Sequence, residues 1–191
     1  NQLAITLKLI NRAISDLTFF EEAIKETNNT DYKIYKVEDQ LIYLQHLAHL
    51  YTNADRIQNA YSILSTAKRL LTPNLHHDSS IVPDYIEVII HRKTGNLKAQ
   101  IPCLSNCIKI AGKKSRKYKD LIWLYLRQLC LLNNHQKFEE IYKENMDVLT
   151  SKNCYRSLNY LLLIQNIDIA NFESTLSLIN KIRGETTLVL D

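Results

Sequence analysis

Apolar residues recur at helical spacing from one end of the chain to the other. Leu3, Leu7, Ile10, Ile14, Leu17 and Ile24 form one stripe at steps of four and three, which predicts a long helix that Asn28, Asn29 and Thr30 bring to an end. A second helix is expected from about Asp31 to Tyr51, burying Ile34, Val37, Leu41, Leu44, Leu47, Ala48 and Tyr51. The third is expected from about Asp55, read as its N-cap, to Leu71, where Thr72-Pro73-Asn74 stops it. Beyond a polar loop holding His76, His77, Ser79 and Ser80, a fourth is expected from about Ile81 to Arg92, closing at Gly95. A fifth ends at Gly112 and is expected to start only near Gln100 or to kink, because Pro102 inside a helix loses a hydrogen bond and crowds the preceding turn. Ser115 is read as the cap of a sixth reaching Leu132, Asn134 opens a seventh to Leu149, Ser151 an eighth to Ile167, and a ninth runs to about Arg183.

The breaks inside each pair are only two to four residues long, so neighbours must pack antiparallel. The pattern predicts an N-terminal helix over 1–30, then helix pairs near 31–73, 79–112, 115–149 and 151–183, and a tail or truncated repeat at 184–191. Pairs recurring every few tens of residues are the mark of a helical solenoid.

One stretch carries a more specific pattern. Leu44, Leu47, Ala48, Tyr51, Ala60, Leu64 and Ala67, with Pro73 after them, resemble the tetratricopeptide repeat, a 34-residue helix-turn-helix unit. The small residues Ala48 and Ala60 let two helix backbones approach, while Leu47, Tyr51 and Leu64 fill the space between repeats. Gly95-Asn96-Leu97-Lys98-Ala99 is similar to the family's turn into its second helix, a register that puts Cys103 and Asn106 where a bulky residue and Ala are usual. Trp123, Leu126, Leu129, Phe138 and Ile141 are compatible in the next pair, and Phe172, Thr175, Ile179 and Ile182 in the last. The resemblance over about 31–183 implies an all-α, right-handed solenoid of antiparallel pairs. It also implies that Gln45, His49 and Thr52 face a concave groove of the kind in which the family binds extended peptides. The family's Lys and Asn clamp for a terminal carboxylate finds no counterpart at these positions.

Composition narrows the classes further. With 46% hydrophobic and 23% charged residues, the 191-residue chain is neither a disordered tail nor a linker, and three Gly and three Pro are too few for the turns of a many-stranded β-protein. No apolar run approaches the 18–20 residues that span a bilayer. Cys103, Cys107, Cys130 and Cys154 stand inside apolar periodic stretches, which predicts reduced, packed thiols and an intracellular location, cytoplasmic or nuclear.

Charge is segregated. Arg92, Lys93, Lys98, Lys109, Lys113, Lys114, Arg116, Lys117 and Lys119 follow one another without a single Asp or Glu, so 92–119 carries +9 in a chain whose total is +4. The segment reads as a basic edge for an acidic or phosphorylated protein partner. A solvated loop and a nucleic-acid surface are the alternatives, the last weakened because only Tyr118 interleaves the basic run as a stacking aromatic.

Signals for catalysis are missing: no Gly-rich phosphate loop, no nucleophile elbow, and adjacent carboxylates such as Glu139 and Glu140 point to different helix faces. His46 with His49, and Cys103 with Cys107, each share a helix face, but neither pair has a second half and no CxxC or HExxH motif occurs. No enzyme, metal site or cofactor is expected. The function expected is a non-enzymatic interaction scaffold, part of a larger protein or complex, that takes a peptide or helix in its groove and an acidic partner at its basic edge. It is also expected to self-associate through an open solenoid end. Two alternatives stand beside it: the ligand-sensing domain of a transcriptional regulator whose DNA-binding helices precede Asn1, and direct nucleic-acid binding through 92–119.

Overall fold

The computed structural model describes residues 2–149 together with Leu162, 175–177 and Ile179. Among them the chain is all-helical, with ten α-helices and no strand. These are α1 (Gln2–Ser15), α2 (Phe20–Asn29), α3 (Val37–Asn53), α4 (Ile57–Arg69), α5 (His77–Ser80), α6 (Val82–Lys93), α7 (Leu97–Ala111), α8 (Tyr118–Leu131), α9 (His135–Glu144) and α10 (Met146–Leu149). They fall into two compact units that meet in sequence between Ser115 and Arg116. The helix pair expected at 151–183 and the tail at 184–191 lie outside the described residues, save for the few positions named.

The long N-terminal helix is two helices. Asp16 leaves the helical conformation, and its carboxylate accepts hydrogen bonds from the backbone N–H of Thr18 at 3.0 Å and from its hydroxyl at 2.8 Å. That local side-chain bonding outcompetes the helix ladder, and a 3-10 turn over Leu17–Phe19 sends the chain back as α2. The open end of this hairpin is tied by the Thr6 and Thr30 hydroxyls, 2.7 Å apart and buried.

The first unit therefore holds three helical hairpins, α1/α2, α3/α4 and α6/α7, and their first helices follow one another: α1 packs on α3, and α3 on α6. These run in the same direction. Asn53 at the end of α3 donates to the carbonyl of Ile14 at the end of α1 (3.1 Å), and Lys93 at the end of α6 reaches Asp55 just beyond α3 (2.8 Å). The core is continuous along this row, from Leu3, Ile10 and Ala13 through Leu41, Leu44, Leu47 and Ala48 to Val82, Ile86 and Ile90. Ala48, Ala60 and Ala67 are fully buried, as the small-residue positions require for close helix approach.

Three hairpins close with one turn. Asp55 (φ 59°), Gly95 (φ 73°) and Asn133 (φ 53°) are left-handed, and the residue after each sends its N–H back to a carbonyl five residues earlier: Arg56 to Tyr51 at 2.8 Å, Asn96 to His91 and Asn134 to Leu129 at 2.9 Å. Asn96 and Asn134 then cap the second helix, accepting from the N–H of Ala99 (3.3 Å) and Lys137 (3.2 Å). Asp55 is thus the left-handed residue that ends α3 and not the N-cap of α4. Its side chain is spent on Lys93.

Other boundaries shift for identifiable reasons. The Asn96 cap starts α7 at Leu97, ahead of the expected Gln100, and Pro102 is carried inside with its ring exposed. The loop before α6 holds the short helix α5, where the N–H of its second residue, Asp78, is taken by the His76 imidazole at 3.3 Å. Ser115 does not cap α8. Its hydroxyl bonds Asp78, and α8 starts at Tyr118 after Lys117.

In the second unit, α8 buries Leu121, Ile122, Tyr125, Leu126 and Leu129, with Phe138 of α9. The helix expected to run unbroken to Leu149 stops at Asn145, which is buried: its amide oxygen accepts from the Tyr118 hydroxyl at 2.7 Å, and its nitrogen donates to the carbonyl of Ile141 at 2.8 Å. No helix is long and apolar enough to cross a membrane among the described residues.

Candidate functional site

Of the predicted groove residues on α3, Gln45 and His49 are half-buried, whereas Thr52 is fully buried, its hydroxyl bonded back to the His49 carbonyl at 2.8 Å. Thr52 therefore lines no open groove. It satisfies the helix from inside. His49 sits against the next hairpin, and its imidazole is held below the usual histidine range first by burial, then by the charge of Arg92 and by His46.

The basic segment does not form a single edge. Because α6 and α7 are antiparallel, Arg92, Lys93 and Lys98 stand at the turn end of their hairpin while Lys109, Lys113 and Lys114 stand at its other end, about 20 Å away along α7. Lys93 is committed to Asp55. Arg116, Lys117 and Lys119 belong to the second unit, where Arg116 is exposed and the other two, at the start of α8, are half-buried. A run contiguous in sequence is divided in space by the helix it crosses.

A different constellation is assembled between α6 and α7. Glu87 and His91, four residues apart on α6, face Cys103 of α7, and one ligand atom from each lies within 4.8 Å of the other two. His91 Nε2 is 3.9 Å from the Glu87 carboxylate, with side-chain exposures of 17% and 28%. Lys68 of α4 reaches Glu87 at 3.1 Å. One turn earlier, Asp84 accepts from the Asn106 amide at 2.6 Å. Burial raises the Asp84 carboxyl against that bond. The Cys103 thiol is raised as well, by burial first and then by Glu87 and Asp84. A thiol, an imidazole and two carboxylates are thus crowded on the seam of one hairpin with one ammonium beside them.

The three equivalent turns show what these residues replace. Counted from the left-handed residue, Asp84, Glu87, His91 and Cys103 occupy the places of Leu44, Leu47, Tyr51 and Ile63 in the preceding hairpin and of Ile122, Tyr125, Leu129 and Ile141 in α8 and α9. All eight counterparts are apolar or aromatic. The same count corrects the register read from Ala99: buried Gln100, Leu104 and Cys107, not Ala99, Cys103 and Asn106, match Ala60, Leu64 and Ala67. Cys107 points to the Ile81 carbonyl (3.8 Å), so it does not share a site with Cys103. Cys103, Cys107 and Cys130 are in no disulfide. Sequence reading missed Glu87 and His91 because it looked for ligand pairs along single helices. The polar letters at otherwise apolar turn-counted positions were the available signal.

Compared with known proteins, the chain matches no family model, no curated protein and no solved structure.

Proposed function

We propose that this chain is a non-enzymatic scaffold, a tetratricopeptide-like right-handed solenoid of helical hairpins that binds a peptide or helix of a protein partner along the face of its first helices. The observation that carries the reading is the succession α1, α3, α6: three first helices run in the same direction, each packed on the next, with the second helices α2, α4 and α7 folded back against them. Such a row offers one elongated surface with repeating side-chain positions, which suits an extended ligand. Gln45 and His49 lie on it, and acidic or phosphorylated groups of the partner find Arg92 beside His49. The divided basic segment favours a protein partner over nucleic acid, since a tracked phosphate backbone needs a continuous stripe. An open end of the row gives the chain a route to self-association.

Site-specific photo-crosslinking tests the reading. A photoreactive residue at Gln45, on the first helix, is expected to trap the partner in cells. The same residue at Tyr61, exposed on α4, is expected to trap none of it. Equal trapping at both sites, or trapping only from Tyr61, removes the groove.

A further inference from the structure

We propose that Glu87, His91 and Cys103 form a zinc-binding site that clips α6 to α7. Three observations converge on it. The donor atoms already lie within 4.8 Å of one another. Zinc bonds of about 2.0–2.3 Å put tetrahedral ligands about 3.3–3.7 Å apart, so rotamer adjustments of roughly an ångström complete three corners. The donor set is chemically coherent too: imidazole nitrogen, thiolate sulfur and carboxylate oxygen are the three protein ligands that borderline-soft Zn²⁺ takes, and hard Mg²⁺ or Ca²⁺ would not select Cys. Finally, all three stand at positions that the neighbouring hairpins fill with Leu47, Tyr51 and Ile63 or with Tyr125, Leu129 and Ile141. Here Glu87 is held by Lys68 and the Cys103 thiol donates to the Ala99 carbonyl at 3.5 Å, separate weak partners that one divalent cation replaces by satisfying all three donors at once.

On binding, the Cys103 thiol loses its proton to solvent, neutral His91 supplies a ring nitrogen, and the Glu87 carboxylate turns from Lys68 to the metal. Zinc with one thiolate and one carboxylate is neutral overall, so burial on the seam is not penalised by a net charge. Asp84, one turn away and held by Asn106, adds the negative potential that draws the cation in. Three protein donors leave the fourth corner to water. The site clips the hairpin independently of the groove reading, and either can fail alone.

The experiment is a titration of the reduced full chain with Co²⁺ alone, followed by Zn²⁺. One equivalent of Co²⁺ is expected to produce a thiolate-to-cobalt charge-transfer band with the visible bands of a four-coordinate ion, and Zn²⁺ is expected to erase both. Cys103→Ser should remove the charge-transfer band with helix content intact by circular dichroism, and Cys107→Ser should leave it. His91→Gln keeps the thiol and, by removing a direct ligand, should weaken zinc binding by at least the roughly 100-fold upper range seen when only an outer-shell partner is lost. No band at one equivalent, a band that survives Cys103→Ser, a band that follows Cys107 or an unchanged affinity in His91→Gln overturns the site.

Discussion

At the scale of single residues, the side chains that matter most here are those doing backbone work. Asn145 ends a helix because its amide bridges the Tyr118 hydroxyl and the Ile141 carbonyl in a buried position. Asn145→Ala leaves a buried phenol and a carbonyl unsatisfied, and is expected to cost about 1–3 kcal/mol in urea denaturation. Ala48 is fully buried in the core of α3, so Ala48→Leu is expected to cost about 1–3 kcal/mol by overpacking, read as a lower midpoint with unchanged slope. His49 gives a pH dependence of known sign. Its folded-state pKa lies below the ordinary 6.5, so its contribution to stability is present in full above pH 6.5 and is lost as the pH falls through the lower folded value. Melting curves at pH 7.5 and 5.5 should show a smaller drop for His49→Gln than for the wild type, and removal of the neighbouring cation in Arg92→Ala should reduce the drop as well. The core alanines and leucines of α3 and α4 were legible from spacing alone. Thr52 and Asp55 were not, because a threonine that bonds its own helix and an aspartate in a left-handed turn have the same letters as an exposed groove residue and an N-cap.

At the scale of elements, hydrophobic periodicity located the helical stretches among the described residues, and side-chain hydrogen bonds set some of their ends, among them the end of α1 at Asp16 and the starts of α7 at Asn96 and α9 at Asn134. The stripe from Leu3 to Ile24 reads as one helix because two consecutive helices happened to keep the phase, and only the Asp16 hydrogen bonds with Thr18 break it. Pro102 misled in the opposite direction. It points to a start near Gln100 or a kink, yet the Asn96 cap starts the helix five residues before it. The hairpin turn can be tested directly. A Cβ at Gly95 meets nothing within 4 Å, so the cost of Gly95→Ala is the cost of φ +73° alone, about 1–2 kcal/mol, visible as a lower melting temperature without loss of helix content. The Glu87, His91 and Cys103 cluster belongs to this scale too. No single helix contains it, so it becomes visible only when α6 and α7 are laid against each other.

At the scale of the molecule, charge behaves differently from its sequence pattern. The segment 92–119 reads as one +9 edge, but the α6/α7 hairpin sends Arg92, Lys93 and Lys98 to its turn and Lys109, Lys113 and Lys114 to its far end. Groups so far apart and screened by physiological salt act separately. Reversing Arg92 and Lys98 to Glu and reversing Lys109, Lys113 and Lys114 to Glu are therefore expected to weaken retention on a heparin column by independent amounts that add when combined. A combined effect much larger than the sum would mean a single continuous surface. What recurs through the chain is smaller than a domain and larger than a residue: the turn at Asp55, Gly95 and Asn133, where one sign of one dihedral and one amide-to-carbonyl bond are all that must persist. Three different letters meet that demand. Mutation is then free to rewrite the side chains at the turn so long as the residue there tolerates a left-handed backbone. Distant kin of such a chain are better traced by superposing their bends than by aligning their letters.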